Sequence, residues 1–184
     1  MLSKQILRKK FFKFRKNKYF EINNNFFNPL IAILKSKEKI NLAIYYPSNY
    51  EINILKIFDT IGNKNNINYL LPKIHGKNDM KFYSWKKNEP LLVNNYGLLE
   101  PVSSLEHVPQ IMMIPLLAFD KNFYRLGYGK GYYDKYLKNC LKKNKKIFTI
   151  GVAFSFQKYK KLPISNFDVK LDQILTEKGF ENKL

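Results

Sequence analysis

Short apolar segments that alternate with helix-like segments constrain the fold of this chain more than any other feature of its sequence. Residues 110–115 (QIMMIP) form the clearest such segment, a short apolar run bounded by prolines that is typical of a central strand. Further strands are predicted over residues 41–47, 67–72, 80–85, 147–154 and 173–176. Helices are predicted over residues 3–20, 28–37, 50–62 and 131–143. The alternation predicts an α/β fold, a three-layer sandwich in which a mostly parallel central sheet is flanked by helices.

The length and composition indicate one folded unit. With 184 residues, 45% of them hydrophobic, the chain is expected to form a single domain over residues 1–184. No apolar run approaches the roughly 20 residues that span a bilayer, and no signal peptide is visible. The single cysteine, Cys140, excludes an intrachain disulfide and a multi-cysteine zinc site, and we expect it to be a packed thiol. We therefore expect a reducing cytoplasm and no membrane partner. We also expect a monomer.

The strong positive charge does not by itself indicate a nucleic-acid partner. The chain carries 33 Lys and Arg against 14 Asp and Glu, a net charge of +19. Its lysines are scattered along the whole chain among many Asn and Ile residues, which indicates a compositional bias and a solvated basic surface. The only arginines are Arg8, Arg15 and Arg125, in the N-terminal segment and in one loop. Arginine offers a planar fork of donors that suits phosphate and carboxylate oxygens.

The N-terminal helix is predicted to be amphipathic with its cations on a separate stripe. Its apolar face is predicted to comprise Ile6, Leu7, Phe11 and Phe14. Its basic stripe is predicted to comprise Lys4, Arg8 and Arg15, which are four and then seven residues apart.

A glycine-rich segment, RLGYGKGYYD at residues 125–134, follows the predicted central strand. It fits neither a Walker A loop nor the G-x-G-x-x-G dinucleotide fingerprint. Glycines at alternate positions, Gly127, Gly129 and Gly131, allow several backbone N–H groups to face one anion, and the start of the next helix adds its positive dipole end. A parallel sheet binds ligands beyond the carboxyl ends of its strands, which is where this segment is expected.

The side chains of this segment suit a nucleotide or another flat phosphorylated ligand. Arg125 and Lys130 can donate to phosphate oxygens, and Asp134 in the first helical turn can hold Mg²⁺ against the phosphates. The rings available for stacking on a heterocycle are Tyr128, Tyr132 and Tyr133. The alternative is a tight turn between strand and helix whose tyrosines fill gaps in the core.

Residues 113–137, MIPLLAFDKNFYRLGYGKGYYDKYL, resemble the signature of the 5-formyltetrahydrofolate cyclo-ligase family. Further segments resemble the family in the same order along nearly the whole chain: KQILR, YPSNYEI, LLP, GLLEP, FSFQ, FDVKLD and ILTE. The sequence departs from the family pattern at Leu116, at Lys135 and in KNFY, which lacks the usual glycine before Arg125.

The resemblance implies conversion of 5-formyltetrahydrofolate and ATP to 5,10-methenyltetrahydrofolate, ADP and phosphate. The formyl oxygen attacks the γ-phosphate, and N10 then closes the ring as phosphate leaves. Because phosphoryl transfer requires mainly positioning and charge stabilisation, no activated serine or cysteine is needed.

The resemblance also implies roles for individual residues. The positions for ATP are Lys4, Arg8, Arg125, Leu126, Gly127, Tyr128, Gly129, Lys130, Gly131, Tyr132 and Tyr133, with Arg125 and Lys130 as the catalytic cations. The positions for the folate are Tyr46, Glu51, Tyr128, Gly129, Lys130, Gly131 and Tyr132, with Glu51 accepting hydrogen bonds from pterin N–H groups. The positions for Mg²⁺ are Asp134 and Asp168.

Two other functions remain open at this point. One is a basic nucleic-acid-binding module that uses Lys, Tyr and Phe for phosphate contact and base stacking. The other is a folate-binding relative without turnover. His75 and His107 are isolated in sequence, and we expect each to be structural or at the surface rather than a metal ligand or a base.

Overall fold

The computed structural model describes residues 2–35, 39–61, 66–76 and 79–182. Its strands are β1 (Ile40–Ala43), β2 (Ile67–His75), β3 (Asp79–Ser84), β4 (Leu91–Val93), β5 (Leu99–Pro101), β6 (Ile111–Pro115), β7 (Ala118–Phe119), β8 (Arg125–Leu126), β9 (Phe148–Val152), β10 (Gln173–Thr176) and β11 (Gly179–Phe180). Its α-helices are α1 (Lys4–Lys18), α2 (Asn28–Ile33), α3 (Ile57–Ile61) and α4 (Tyr132–Lys142). The described residues include no helix long and apolar enough to cross a membrane.

A seven-stranded sheet with the order β11-β10-β9-β6-β1-β2-β3 forms the centre of the fold. The five inner strands, from β10 to β2, are parallel, and β3 and β11 pair antiparallel at the two edges. The strand predicted from residues 110–115 is β6, which lies between β1 and β9. The predicted mostly parallel sheet is therefore confirmed.

Side chains alternate between two cores on opposite faces of the sheet. Leu42 of β1 and Met113 of β6 pack into the core that contains α2 and α3. Their neighbours Ala43 and Met112 pack into the core that contains Leu137 of α4. This period of two is the pattern expected for strands covered on both faces, and it confirms the three-layer sandwich.

The N-terminal helix α1 packs on the segment that follows β6, and its buried face is not the predicted one. Leu7 and Phe11 contact Leu117 and Leu126, whereas Ile6 and Phe14 are 51% and 39% exposed. Arg15, predicted on a separate stripe, is 1% exposed. At 3.6 residues per turn, Lys4, Arg8 and Arg15 project from the same side as Leu7 and Phe11, so the cations share the packed face.

Two predicted helices are shorter in the structure than in the sequence analysis. The segment predicted as helix 50–62 begins with a turn, because Asn49 and Tyr50 have positive φ, and only residues 54–61 are helical. The predicted helix 28–37 ends as α2 at Ile33. The last residues of both predictions, 36–37 and 62, lie outside the described ranges. The helix predicted over 131–143 is confirmed as α4, where Cys140 is buried as expected.

Candidate active site

The glycine loop, residues 127–131, connects β8 to α4. Strands β7 and β8 form a small antiparallel pair that carries the chain from β6 to this loop. Buried Asp120 fixes the turn between them: its Oδ1 accepts the N–H groups of Asn122 and Tyr124, and its Oδ2 accepts the N–H of Leu162. The loop is thus anchored to the sheet at the edge where ligands of parallel sheets bind.

Two glycines of the loop have backbone conformations that other residues rarely adopt. Gly129 has φ +105°, and Gly131, the N-cap of α4, has φ +72°. Arg8 of α1 packs against the loop and donates from Nε to the carbonyl of Gly127 at 3.0 Å. A Cβ atom on Gly129 would lie only 3.2 Å from Arg8 Cζ. Arg8 therefore packs directly on the bare backbone of Gly129, where a Cβ atom would force its side chain to shift by a few tenths of an ångström.

One side of the loop faces a cleft of about 230 Å³ that is lined mainly by charged residues and that we call the basic cleft. Its lining residues are Lys4, Arg8, Arg125, Leu126, Gly127, Gly129, Gly131, Asp134, Lys135, Lys138, Phe167 and Asp168. Five of these residues are cations and two are acids. Together with the backbone at the start of α4, they form a surface suited to a polyphosphate.

Arg125 and Asp134 form an ion pair inside the basic cleft. The Arg125 Nη2 and Asp134 Oδ1 atoms are 2.9 Å apart, and the Arg125 side chain is 4% exposed. Arg125 also donates from Nη1 to the carbonyl of Val169, and Asp134 Oδ1 accepts the Val169 N–H. Burial lowers the pKa of the Arg125 guanidinium, and the Asp134 carboxylate acts against that shift. In this structure Arg125 therefore binds protein acceptors.

Asp168 is held by Lys4, which reaches across from the first turn of α1. Lys4 Nζ lies 2.8 Å and 2.5 Å from the two carboxylate oxygens, and Oδ2 also accepts hydrogen bonds from the N–H and hydroxyl of Ser165. Burial acts to raise the pKa of Asp168, but the hydrogen bonds from Lys4 and Ser165 outweigh it, so the pKa lies below its usual value.

The acids of the basic cleft fit Mg²⁺ only as a partial ligand set. The described residues contain no group of three or more His, Cys, Asp or Glu side chains placed to hold a metal. Mg²⁺ in nucleotide sites is commonly held by one or two carboxylates while phosphates and water supply the other ligands. Asp134 and Asp168, hard oxygen donors that line one cleft, fit that mode.

The other side of the loop faces a larger and mainly apolar cleft of about 320 Å³, which we call the apolar cleft. Its lining residues are Tyr45, Tyr46, Ser48, Asn49, Glu51, Pro72, Ile74, Met80, Tyr96, Leu98, Leu99, Glu100, Pro115, Arg125, Tyr128, Gly129, Lys130, Gly131, Tyr132, Tyr133 and Asp134. Tyr46 packs edge-on against Trp85 with ring centroids 6.4 Å apart. An apolar cleft with a few fixed polar groups is typical of a site for a flat organic ligand.

Glu51 is the buried acid of the apolar cleft. Its Oε2 accepts the N–H of Ser48 at 2.9 Å, and its Oε1 accepts the hydroxyl of Tyr128 at 2.5 Å. The side chain is fixed by a tight turn, in which the Glu51 N–H also donates to the Ser48 carbonyl. Burial raises the pKa of Glu51, whereas hydrogen bonds from Tyr128 and Ser48 and the charge of Arg15 act to lower it. Burial also raises the pKa of Tyr128, so its hydroxyl acts as a donor to Glu51.

The two clefts meet at the glycine loop. Arg125, Gly129, Gly131 and Asp134 line both of them. Of the residues with predicted roles, Lys4, Arg8, Leu126, Gly127 and Asp168 line the basic cleft alone, whereas Tyr46, Glu51, Tyr128, Lys130, Tyr132 and Tyr133 line the apolar cleft alone. Lys130, predicted to contact phosphate, has its Nζ 5.2 Å from the centroid of the Tyr96 ring.

Several residues at the two clefts were not assigned from the sequence. In the basic cleft, Lys135 and Lys138 lie four and seven residues after Gly131, a helical spacing that places them on its side of α4. Lys138 Nζ lies 5.1 Å from the centroid of the exposed Phe167 ring. Tyr96 comes from the turn between β4 and β5, a hairpin that the sequence analysis did not predict. His75 pairs with the Tyr83 hydroxyl on the edge hairpin, and neither histidine lines a cleft.

Comparison with known proteins connects this chain to one family. The model of the 5-formyltetrahydrofolate cyclo-ligase family matches residues 2–177. The 5-formyltetrahydrofolate cyclo-ligase of Haemophilus influenzae is 30% identical over 79% of this chain and 80% of its own. That of Mycoplasma genitalium is 35% identical over 79% of this chain and 78% of its own.

Solved structures show the same relationship. A 5,10-methenyltetrahydrofolate synthetase from Mycoplasma pneumoniae aligns with a TM-score of 0.73 and 28% identity, covering 96% of this chain and 99% of that protein. The 5,10-methenyltetrahydrofolate synthetase of Aquifex aeolicus aligns with a TM-score of 0.74 and 32% identity, covering 97% of this chain and 92% of that protein.

Proposed function

The chain belongs to the 5-formyltetrahydrofolate cyclo-ligase family, and on that premise we propose that its two clefts convert 5-formyltetrahydrofolate and ATP to 5,10-methenyltetrahydrofolate, ADP and phosphate. The basic cleft binds the phosphates of ATP, and the apolar cleft binds the pterin. The observation that carries this proposal is the glycine loop between them, because Gly129 and Gly131 line both clefts.

The basic cleft offers donors of two kinds to the phosphates. Backbone N–H groups of the glycine loop and the first turn of α4 supply dipoles, and Arg8, Lys135 and Lys138 supply charge. Lys4 joins them by exchanging its bond to Asp168 for a bond to phosphate. Arg125, buried beneath the loop, contributes its positive charge from a fixed position and holds Asp134.

The fit of Asp134 and Asp168 to Mg²⁺ supports a metal site in the basic cleft. Asp134 is anchored through Oδ1 by Arg125 and by the Val169 N–H. Asp168 is anchored by Ser165, and in this proposal Mg²⁺ would take the place of Lys4 as its partner. When bound, Mg²⁺ neutralises phosphate charge and orients the γ-phosphate for transfer.

The apolar cleft offers aromatic surface and one carboxylate to the pterin. Tyr46 and Tyr132 line this cleft with aromatic rings, and Glu51 presents a buried acceptor that pairs with pterin N–H groups. Tyr128 connects Glu51 to the glycine loop through its hydroxyl. The folate is thus held with its formyl group toward the loop that also holds the phosphates.

The reaction needs ATP because the formyl oxygen, like an amide oxygen, is a poor leaving group until it is phosphorylated. The formyl oxygen takes the γ-phosphoryl group, ADP departs, and the lone pair of N10 attacks the formyl carbon. The bond from carbon to oxygen breaks, phosphate leaves with the former formyl oxygen, and N10 loses its proton. The part of the protein in this reaction is to supply position and charge.

One assay tests the proposal. Purified protein mixed with Mg-ATP and 5-formyltetrahydrofolate is expected to produce the absorbance of 5,10-methenyltetrahydrofolate, and to produce none when ATP is left out. Folate binding without any such rise would identify a catalytically silent relative instead. Tight RNA binding at physiological salt without turnover would identify a nucleic-acid-binding module.

We further propose that the chain acts as a single-domain monomer in the cytoplasm on these small-molecule substrates, without a nucleic-acid or membrane partner. The support is that both clefts are lined by one chain and that its lysines are dispersed.

A further inference from the structure

The buried guanidinium of Arg15 has no part in the function proposed above. Arg15 lies in the last turn of α1 and is 1% exposed, the most deeply buried cation of the described chain. Removing a charge from water costs free energy unless protein groups replace the lost hydration. The partners of Arg15 therefore indicate what its burial achieves.

Those partners come from three segments that meet beside the apolar cleft. Arg15 Nη1 donates to the carbonyl of Leu116, in the segment after β6, at 3.1 Å. Its Nη2 donates to the carbonyl of Asn49, in the turn that carries Glu51, at 2.7 Å. The same Nη2 donates to the hydroxyl of Tyr128, on the glycine loop, at 2.5 Å. One guanidinium thus joins α1 to both segments that present polar groups to the pterin.

The bond from Arg15 also sets the direction of the bond between Tyr128 and Glu51. A guanidinium can only donate, so the Tyr128 hydroxyl accepts a hydrogen bond from it and donates its own O–H to Glu51 Oε1. The chain of donors runs from Arg15 through Tyr128 to Glu51. Its end is a carboxylate that accepts hydrogen bonds, which is the form that pairs with pterin N–H groups.

We propose that Arg15 is a positioning residue for the folate site, which orients Tyr128 and keeps the Glu51 carboxylate ionised and ready to accept the pterin. This role rests on the proposed function, in which Glu51 binds the pterin. A purely structural Arg15 would only fasten α1 to the domain and would leave the protonation of Glu51 unchanged.

The titratable groups that act on Glu51 come from four elements. They are Arg15 on α1, Tyr45 after β1, Tyr128 on the glycine loop and Tyr133 on α4. Arg15 is the cation among them. Since burial already raises the pKa of Glu51, loss of the Arg15 charge raises it further, and the carboxylate then takes up a proton at a higher pH.

The test is the pH profile of 5-formyltetrahydrofolate binding, measured by calorimetry without nucleotide from about pH 5 to 9. Arg15→Met, which keeps much of the side-chain volume, is expected to weaken binding at neutral pH on the order of tenfold or more. It is also expected to move the acid limb of the profile to higher pH. Arg15→Lys restores the charge, so its acid limb is expected near that of the unmodified protein although the affinity is only partly recovered.

Phe11→Leu is the matched control. Phe11 is buried on the same face of α1 one turn earlier, but it packs on apolar side chains and has no contact with Glu51. We expect this variant to have a lower melting temperature and an unchanged pH profile. If Arg15→Met does not fold, Tyr128→Phe removes the hydroxyl between Arg15 and Glu51 and is expected to shift the acid limb in the same direction.

Each outcome decides the role of Arg15. A folded Arg15→Met or Tyr128→Phe variant with the profile of the unmodified protein overturns it, while the proposed function stands. If Phe11→Leu shifts the profile as much as Arg15→Met, the effect is packing and the role is again overturned. Failure of the unmodified protein to bind 5-formyltetrahydrofolate refutes the proposed function and this role together.

Discussion

Lys4 and Asp168 form an ion pair across the basic cleft, with Nζ and Oδ2 2.5 Å apart although the residues are 164 positions apart in sequence. Both residues were predicted to bind ligands, Lys4 the phosphates and Asp168 a metal. In the structure each neutralises the other, and the pair ties the first turn of α1 to the carboxyl-terminal part of the chain. In the proposed function, Mg-ATP replaces this contact with two others, one from Lys4 to phosphate and one from Asp168 to the cation.

The Lys4–Asp168 pair predicts a pH-dependent contribution to stability. The pKa of Asp168 is lowered, so the contribution is fully present above the unfolded pKa of about 4 and is lost as pH falls through the folded pKa. At neutral pH we expect the unmodified protein to have a higher melting temperature than the Asp168→Asn variant. We expect this difference in melting temperature to disappear in more acidic solution. Asp59→Asn, which breaks an exposed Lys–Asp pair, is the control and is expected to change the melting temperature little. A difference in melting temperature that is the same at every pH would contradict a stabilising ion pair between Lys4 and Asp168.

Asp134→Asn is expected to reduce both stability and turnover. The sequence alone places Asp134 at an accessible helix start, but the structure pairs it with the buried Arg125. Loss of a charged hydrogen-bond partner costs about 1.5–3 kcal/mol in the free energy of unfolding, measurable by urea denaturation. In folded enzyme at low temperature, the Mg²⁺ concentration for half-maximal rate should rise on the order of tenfold or more, because a metal clamp is worth several kcal/mol. A variant with parental stability and parental Mg²⁺ dependence would refute both roles.

Removing Lys4 and Arg8 together is expected to raise the ATP concentration needed for half-maximal rate. Each charge-assisted phosphate contact is worth about 1.5–3 kcal/mol, so the Lys4→Ala, Arg8→Ala variant should need ATP at concentrations at least about tenfold higher. Its melting temperature is also expected to fall, because Lys4→Ala breaks the pair with Asp168 and Arg8→Ala removes the bond to the Gly127 carbonyl, so ATP dependence is compared in folded protein at low temperature. The control is Lys9→Ala, Lys13→Ala, which removes two exposed charges at the same spacing from the same helix. Equal kinetic effects in the two double variants would show that net charge, and not the cleft, is responsible.

Gly129→Ala is expected to impair nucleotide binding more than folate binding. At φ +105°, alanine adds backbone strain of roughly 1–2 kcal/mol, and its Cβ would press on Arg8 Cζ at 3.2 Å. We expect a folded protein with much weaker ATP binding and nearly normal affinity for 5-formyltetrahydrofolate without nucleotide. Gly127→Ala is the control for stability, because its Cβ would meet no atom within 4 Å and its φ is not positive. A destabilised Gly129→Ala with unchanged ATP affinity would show that the loop is only a turn.

The sequence predicts the sheet and the glycine loop because both are encoded locally. Residues 110–115 alternate between two cores as β6, and the loop that follows lies at its carboxyl end. The buried face of α1 is not encoded locally, because aromatic and basic side chains occur on several sides of that helix. Arg15 is buried only because carbonyls and a tyrosine from distant segments meet it there. The division of site residues between two clefts likewise depends on how β1, the glycine loop and α1 pack together. The spacing of residues along the sequence does not reveal that packing.

The central claim is that phosphate from ATP is transferred to the formyl oxygen where the two clefts meet. The most direct test is to supply 5-formyltetrahydrofolate labelled with ¹⁸O in the formyl group, together with Mg-ATP, and to analyse the released phosphate by mass spectrometry. Since the formyl oxygen becomes a phosphate oxygen in this account, we expect one ¹⁸O atom in each phosphate formed with 5,10-methenyltetrahydrofolate. Product formed with unlabelled phosphate, with the ¹⁸O recovered in water, would contradict it.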